Sequence, residues 1–404
     1  MSQETDNSET SNLNGTASKT AQINKPNTVS SRDKRTINLA LQGGGAHGAF
    51  AWGVLDKIIE DGRLDIEGLC ATSAGTMNAC VYAYGMMKGG ADLAREKLHD
   101  FWWNIHQAGQ RYNPVKRMPW EKMISWNMDH SIAFFMFDSL TRAFSPYQLN
   151  PLDINPLRDV LEETVDFDEL RACKCTKMFI SATHVRSGKV RVFENENVTL
   201  DVAMASACLP FLFKAVEIDG EDYWDGGYMG NPALFPLFYN TESRDIMIVH
   251  INPIEREDTP TTGPDIMNRV NEISFNSSLI KELRAIAFVK KLLEKDMIDK
   301  KYREDFKDVL VHSIRADKAM AEFSVASKFD SDWDFLLMLR DTGRETMQTW
   351  LDNNFDCIGV RDTIDLQGEF LHSVTKLFDE QQAHHEKNAE ARNTAEVMRQ
   401  VITT

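Results

Sequence analysis

The most constraining feature of the sequence is an alternation of short strands and helices near its start. The stretch RTINLAL, residues 35–41, alternates apolar with polar or small residues and ends at a cluster of glycines. GAFAWGVLDKIIEDG then has apolar residues at helical spacing, and LDIEGLCA has the pattern of a second strand before a mostly apolar helix. This order favours a βαβ crossover, and therefore a parallel sheet with helices on its faces.

Four later stretches predict further strands of this sheet: KMFISATHV, KVRVFE, DIMIVHINP and DVLVHSI. Between the early and late strands, an aromatic-rich region at about residues 100–150 predicts a helical cap. That cap could also serve as a lid or as a groove for an acyl chain. Residues 256–404 are mainly helical in pattern, and we expect peripheral helices there, with part of the region completing the sheet.

The charge and the ends of the chain limit its partners and its location. With 61 acidic and 45 basic residues the net charge is -16, which argues against general nucleic-acid binding. Residues 1–35 contain no aromatic residue and predict a disordered tail without the features of a Sec signal. No stretch approaches the ~20 apolar residues of a spanning helix. We expect a cytoplasmic protein with reduced cysteines; membrane association and export by a non-Sec route are the alternatives.

A candidate nucleophile stands at the turn after the second strand. ATSAG, residues 71–75, places Ser73 between strand and helix, with the small residues Ala71 and Gly75 two positions before and after it. This is the layout of a nucleophile elbow, whose turn is so sharp that larger side chains would collide. The helix that follows points its positive end at the site and favours developing negative charge there.

A candidate carboxylate lies further along the chain, in YWDGG. Asp225 is followed by Gly226 and Gly227, so its backbone lies in a turn and little shields the carboxylate. Taken alone, an Asp-Gly pair is most often a surface turn. Its interpretation therefore depends on the two earlier motifs.

In this order, the glycine-rich loop of residues 43–48, the serine elbow and the Asp-Gly-Gly turn resemble the patatin-like phospholipase family. ASACLPFLFKAVEIDGEDYWDGG is similar to the family's segment leading to its catalytic aspartate, and Asn231-Pro232 matches the residues that usually follow. The resemblance covers roughly residues 36–255, the expected catalytic domain, and residues 134–170 also resemble a bacterial branch. It implies a three-layer α/β/α fold with a mainly parallel central sheet, followed by C-terminal helices.

The resemblance implies a lipid acyl hydrolase with a Ser–Asp dyad. Ser73 would attack an ester carbonyl and form an acyl-enzyme, and Asp225 would accept its proton. The expected oxyanion-hole donors are the backbone N–H groups of Gly43, Gly44, Gly45 and Ala46. The expected supports of elbow and loop are Gly48, Ala71, Gly75, Gly226 and Gly227. Phospholipids or related long-chain lipid esters are the implied substrates, with peripheral membrane contact, no cofactor and no metal, and the oligomeric state is left open.

His47 departs from the family pattern, which usually has Arg or Lys at this position. A permanent charge would thus be replaced by a group that titrates near neutrality. One hypothesis is that His47 tunes the oxyanion loop and makes the activity sensitive to pH. The alternative is that only the backbone matters at this position.

A conventional Ser–Asp–His triad is an alternative to the dyad. His250, His312 or His372 could supply the base. The first two lie in apolar, strand-like runs, where a structural histidine is the commoner case.

Two further alternatives come from other functional classes. Gly43, Gly45 and Gly48 also fit the G-x-G-x-x-G pattern of a dinucleotide-binding oxidoreductase, in which Asp61 or Asp65 would contact the ribose. The other is a lipid-binding protein without catalytic activity.

Overall fold

The centre of the molecule is an eight-stranded sheet. A computed structural model describes residues 34–117, 126, 128 and 131–371, so the tail predicted for residues 1–35 lies almost wholly outside the described residues. The strands are β1 (Arg35–Leu41), β2 (Leu64–Ala71), β3 (Lys177–His184), β4 (Lys189–Glu194), β5 (Val216–Ile218), β6 (Glu221–Asp225), β7 (Asp245–Val249) and β8 (Leu310–Ile314).

The order of the strands confirms a mainly parallel sheet. They run β5-β6-β3-β2-β1-β7-β8, with β4 paired to β3. The pairs along β3-β2-β1-β7-β8 are parallel, whereas β3 with β4, β3 with β6, and β5 with β6 are antiparallel. Because β1 and β2 are parallel neighbours, the loops that follow them meet at the same edge of the sheet.

The hairpin β5–β6 was not predicted from the sequence. Asp219 and Gly220 join its strands, and both have positive φ angles, 56° and 76°. An Asp-Gly pair between two short strands is a strong hairpin signal, because type I′ turns require positive φ at both central positions. This signal could have revealed the strand that ends at Asp225.

Eleven α-helices lie in the described residues. They are α1 (Gly48–Asp61), α2 (Ala74–Tyr112), α3 (Ile132–Ala143), α4 (Pro146–Leu149), α5 (Pro156–Thr164), α6 (Phe167–Arg171), α7 (Leu200–Ser206), α8 (Phe235–Asn240), α9 (Gly263–Glu294), α10 (Asp317–Met320) and α11 (Trp333–Asn354). α2 bends at Gly90, whose φ is 72°. Its second half and α3 occupy the region for which the sequence predicted an aromatic-rich cap, part of which lies outside the described residues.

The helices form two layers on opposite faces of the sheet. Leu39 and Leu41 of β1 belong to the core shared with α1, α2, α5, α7 and α11. Ala40, between them, belongs to a second core shared with α8 and α9. Successive side chains of a strand point to opposite faces, so β1 contributes to both cores. The three-layer α/β/α architecture follows directly.

The expectation of peripheral C-terminal helices is wrong for α11. Phe335, Leu336 and Leu339 on this helix are fully buried. α11 packs against α1 so closely that side chains on Gly53 or Gly343 would collide with the backbone of the other helix. Its apolar positions therefore form part of the main core.

The cysteines differ in part from expectation. Cys173 and Cys175 are joined as a disulfide, which corrects the prediction of reduced thiols at these two positions. The other four cysteines are free and buried. In the part of the chain that the structure describes, no helix combines the length and the hydropathy needed to cross a bilayer.

Candidate active site

Ser73 stands at the sharp turn between β2 and α2. Its φ of 54° is one of few positive values at non-glycine positions and marks local backbone strain. The residue is largely buried, and its backbone N–H donates to the Ser206 hydroxyl at 2.9 Å. The turn thus has the strained geometry that the elbow pattern predicts, and it is held from the neighbouring helix α7.

The glycine-rich loop crosses directly over this serine. A Cβ atom on Gly43 would lie 2.5 Å from Cβ of Ser73, so no larger residue fits there. Gly45 has a φ of 59° and begins a short 3-10 turn, Gly45–His47, that leads into α1. Close approach and backbone freedom thus explain glycine at these two positions.

The loop presents backbone donors of two kinds. The N–H of Gly43 donates to Asn231 Oδ1 at 2.7 Å, so it is engaged rather than free for a ligand. Gly44, Gly45 and Ala46 stand at the start of the 3-10 turn, where backbone N–H groups have no acceptor within the helix. Of the four oxyanion-hole donors predicted from the sequence, the N–H of Gly43 already has an acceptor within the protein, and the assignment of the other three stays a prediction.

Asp225 is brought level with Ser73 by the register of three strands. Ala71 of β2 pairs with Ile180 of β3, and Ala182, two residues further along β3, pairs with Asp225 of β6. Ser73, two residues beyond Ala71, therefore reaches the same height in the sheet. The carboxylate is completely buried and accepts the Gly227 N–H at 2.7 Å through Oδ1.

Burial raises the pKa of Asp225 to about 6, against the lowering effects of the Gly227 N–H, the Ser73 hydroxyl and the charge of Lys328. Ser73 thus favours the ionised form of the Asp225 carboxylate. Among the described residues Asp225 Oδ2 has no hydrogen-bond partner, so it is open to a donor at the site. Hydrogen bonds between a nucleophile and its base are often loose in enzymes without bound substrate. A carboxylate with this pKa is a stronger base than an exposed aspartate.

Residues 39–238, about half of the chain, match the family model of the patatin-like phospholipases. Through these residues the chain belongs to the patatin-like phospholipase family. The resemblance found in the sequence is thereby confirmed, and it supports a lipid acyl hydrolase in the general sense. The finer resemblance to a bacterial branch stays a prediction.

The chain is also similar to two solved bacterial proteins. It is 15% identical to VipD from Legionella pneumophila, with a TM-score of 0.36, and the alignment covers 79% of this chain and 67% of VipD. It is 13% identical to ExoU of the type III secretion system of Pseudomonas aeruginosa, with a TM-score of 0.31 and coverage of 78% and 53%. The chain thus spans about half the length of ExoU. No curated protein matches the sequence.

His47 lies in the glycine loop of the patatin-like domain and is buried. Its Nε2 is 2.8 Å from the Ser327 hydroxyl, which itself donates to the Ser324 carbonyl at 2.8 Å. His47 Nε2 must therefore carry a proton and donate to Ser327. Burial and the charge of Lys328 lower the pKa of His47 well below its usual value. A lowered pKa favours the neutral form of His47, which as a donor ties the loop to residues 324–327. The proposed tuning of the oxyanion loop by His47 stays a prediction.

Three histidines were candidates for a triad, and the two that the structure describes lie on strands distant from β2, which leads to Ser73. His312 lies on β8, and three strand spacings, about 14 Å, separate β8 from β2. Its Nε2 is 2.9 Å from Asp245 Oδ1, which accounts for its burial. His250 follows β7, two strands or about 10 Å from β2, and burial lowers its pKa to about 3. His372 lies outside the described residues.

The supporting positions are all densely packed. Ala71 is buried, and a Cβ on any of four glycines would lie within 3.0 Å of another atom. These are Gly48, Gly75, Gly226 and Gly227. Sequence reasoning missed the hydrogen-bonding roles of Ser206 and Asn231, which lie in segments quoted for the family resemblance. It also missed Lys328, which lies outside that resemblance and has no local motif.

Proposed function

We propose that this protein is a serine lipid acyl hydrolase in which Ser73 is the nucleophile and Asp225 the general base. The observation that supports the proposal is a strained, largely buried serine level in the sheet with a buried aspartate of raised pKa, beneath a glycine loop that leads into a 3-10 turn. The family match supports an acyl ester of a lipid as the substrate class.

The reaction proceeds in two halves with Asp225 as proton carrier. Ser73 Oγ attacks the ester carbonyl and its proton passes to the Asp225 carboxylate. The tetrahedral intermediate collapses, the C–O bond to the alcohol breaks, and the departing alkoxide takes the proton from Asp225. Water then attacks the acyl-enzyme and gives its proton to Asp225. The second collapse releases the fatty acid and returns that proton to Ser73.

The negative charge that forms on the carbonyl oxygen is stabilised by the loop and by α2. The N–H groups of Gly44, Gly45 and Ala46 are the proposed oxyanion-hole donors, each worth about 3 kcal/mol in such sites. α2 begins at Ala74, directly after Ser73, so its positive end faces the same oxygen. Neither feature requires a metal or a cofactor.

The alternative of a dinucleotide-binding oxidoreductase is disfavoured by the position of its ribose-binding candidates. Asp65 pairs in register with Thr36 at the start of β1, whereas the glycine loop follows the end of that strand, about 20 Å away. Asp65 forms an ion pair with Lys34, and Asp61 with Arg63. A lipid-binding protein without catalysis would have no need for the strain at Ser73.

Product analysis tests the proposed reaction and defines the lipid class. The purified protein is incubated with mixed phospholipids and neutral lipid esters, and products are identified by mass spectrometry. We expect release of free fatty acid with the matching lysolipid or alcohol, and covalent labelling of the protein by a fluorophosphonate. Absence of both, together with a thermal shift caused by a nicotinamide dinucleotide, would instead favour the oxidoreductase.

The proposal includes contact with a lipid surface through one face of α3. Ile132, Phe135, Met136 and Leu140 follow helical spacing on this face and are 47–77% exposed. The opposite side of α3 contacts the ring of Phe329, next to Lys328, through Phe134 and Phe137. The two charged residues of the helix, Asp138 and Arg142, pair with each other, so their charge is balanced. We call the four exposed residues the α3 apolar face.

This surface continues toward the active site. The Tyr147 hydroxyl accepts the N–H of Ala215 at 3.4 Å, and Lys214 donates to the Pro151 carbonyl at 2.9 Å. Ala215 lies in the segment between α7 and β5, which also contains Cys208, whose carbonyl accepts the Asp225 N–H at 2.8 Å. These hydrogen bonds connect the segment that follows α3, by way of residues 208–215, to the strand that carries Asp225.

Replacement of Phe135 and Met136 by serine should weaken binding to lipid vesicles. Each replacement removes about 1–2 kcal/mol of favourable binding free energy, because an apolar side chain no longer enters the lipid. The affinity for phosphatidylcholine vesicles, measured by co-sedimentation, should therefore fall at least tenfold. The matched control is the double change Phe288→Ser and Met297→Ser, which alters an exposed phenylalanine and an exposed methionine outside α3, 52% and 66% exposed. Equal losses in both variants would contradict a specific role of α3.

A further inference from the structure

Lys328 is a partly buried cation in the turn Ala326–Phe329, outside the residues that match the family. Its Nζ donates to the side-chain oxygens of Asn252 and Asn271, each at 2.8 Å, and lies 5.1 Å from the ring centre of Phe275. In the described residues no carboxylate forms an ion pair with it. Lysines are mostly exposed, so a partly buried lysine without such a partner calls for a reason.

The first connection of Lys328 is to the glycine loop. A Cβ on Gly45 would lie 2.5 Å from the Lys328 carbonyl oxygen, so the lysine backbone rests directly on the loop. Asn252, which accepts from Nζ, donates through Nδ2 to the Gly43 carbonyl at 3.0 Å. The cation and the proposed oxyanion loop are therefore held in a fixed relation.

The second connection of Lys328 is to the aspartate turn. Phe275, under its ammonium group, contacts Gly227 so closely that a Cβ there would lie 2.5 Å from the ring. The N–H of Gly227 donates to Asp225 Oδ1. One side chain thus links the two segments whose relative position the reaction depends on.

We infer that Lys328 is a positioning residue of this active site, whose ammonium group links the glycine loop to the Asp225 turn and supplies the site with positive charge. The inference rests on the proposed function. His47, the other basic residue against the loop, is neutral, so Lys328 provides the charge that His47 does not. Lys328 acts through Asp225 and through the loop, without contact with the reacting atoms.

The charges around Lys328 agree with this role. Burial lowers its pKa to about 8, while Glu272 and Asp225 raise it, so the ammonium form prevails at neutral pH. Glu272 is itself paired with Arg256 and Arg269. The Lys328 charge in turn favours the ionised form of Asp225, in opposition to the larger effect of burial. Loss of this charge should therefore raise the pKa of Asp225.

The test is the pH dependence of kcat/KM on a soluble ester for Lys328→Met and Lys328→Arg. In Lys328→Met we expect the maximum of kcat/KM to be ten- to hundredfold lower. The acid limb, which is the fall of kcat/KM toward low pH as Asp225 becomes protonated, should move to higher pH by about one unit. The fall of the wild-type profile above about pH 8, where Lys328 loses its proton, should also disappear. Lys328→Arg should keep the wild-type acid limb. A slower enzyme with an unchanged acid limb would overturn the inference.

Two further variants keep the test decisive. Lys290→Met removes a lysine that is buried and paired with Asp308 and Asp362, and it should leave the acid limb unmoved. If Lys328→Met does not fold, Asn271→Asp places a carboxylate beside Nζ with little change of shape and should move the acid limb in the same direction. Wild-type protein without esterase activity would refute the proposed function; an active wild type with unmoved limbs would refute only the role of Lys328.

Discussion

Replacement of Ser73 by alanine should lower kcat/KM for lipid ester hydrolysis by roughly 10⁵-fold, because removal of a serine nucleophile leaves only oxyanion stabilisation and binding. The same change should abolish labelling by a fluorophosphonate. The measurement compares ester turnover and labelling of wild type and Ser73→Ala. Residual turnover within a factor of ten of wild type would place the nucleophile elsewhere.

Ser206→Ala is the matched control for this result. It also removes one buried hydroxyl, the acceptor of the Ser73 N–H, but leaves the proposed nucleophile in place. We expect reduced turnover with labelling retained. Loss of labelling in Ser73→Ala alone would therefore report on chemistry rather than on folding.

The strain at Ser73 adds a stability measurement to the same prediction. A φ of 54° costs a residue with a Cβ atom about 1 kcal/mol of folding free energy, whereas glycine adopts this angle without that cost. Ser73→Gly should therefore unfold at a higher temperature than Ser73→Ala, although both lack the hydroxyl. Equal stability would mean that the elbow is not strained. If Ser73→Gly unfolds at the higher temperature, as expected, the fold retains backbone strain at the position of the proposed nucleophile.

The parts of this site that the sequence predicts are those encoded locally. β1, the glycine loop, α1, β2 and the elbow at Ser73 follow one another within about forty residues, and each has its own composition and spacing. The local sequence does not identify Asp225 as a site residue, because an Asp-Gly pair alone is most often a surface turn. Only the family resemblance singled it out, and only the register of β2, β3 and β6 explains why it lies level with Ser73.

The parts that the sequence did not predict depend on contacts between distant segments. Lys328 lies in a charged region without a motif, and its contacts are with Asn252, Asn271 and Phe275, which are distant in the sequence. The core position of α11 likewise depends on a match with α1, because an amphipathic helix does not reveal which surface it covers. His47 was expected to titrate because burial, which keeps it neutral, cannot be inferred from its neighbours in the sequence.

Replacement of Asp225 by asparagine should lower kcat/KM by about 10³- to 10⁴-fold, because an amide cannot accept the proton of the nucleophile. In the wild type, kcat/KM should fall as the pH drops below about 6, where Asp225 becomes protonated. The pH profile and the rate of Asp225→Asn are measured on a soluble ester. Asp222→Asn, an exposed carboxylate on the same strand, is the control and should stay within twofold of wild type.

The same substitution should stabilise the protein at neutral pH. The pKa of Asp225 is raised from 3.8 to about 6 on folding, so the folded state binds its proton more tightly than the unfolded state does. The contribution of Asp225 to stability therefore falls as pH rises through this window, and the buried charge costs about 1–3 kcal/mol above it. Asp225→Asn avoids that cost. Denaturant unfolding should show similar stabilities at pH 4 and a more stable variant at pH 7.5. If the variant is less stable than wild type at pH 7.5, Asp225 has a structural role. If the variant is inactive but more stable, the carboxylate destabilises the fold and serves as a base in the reaction.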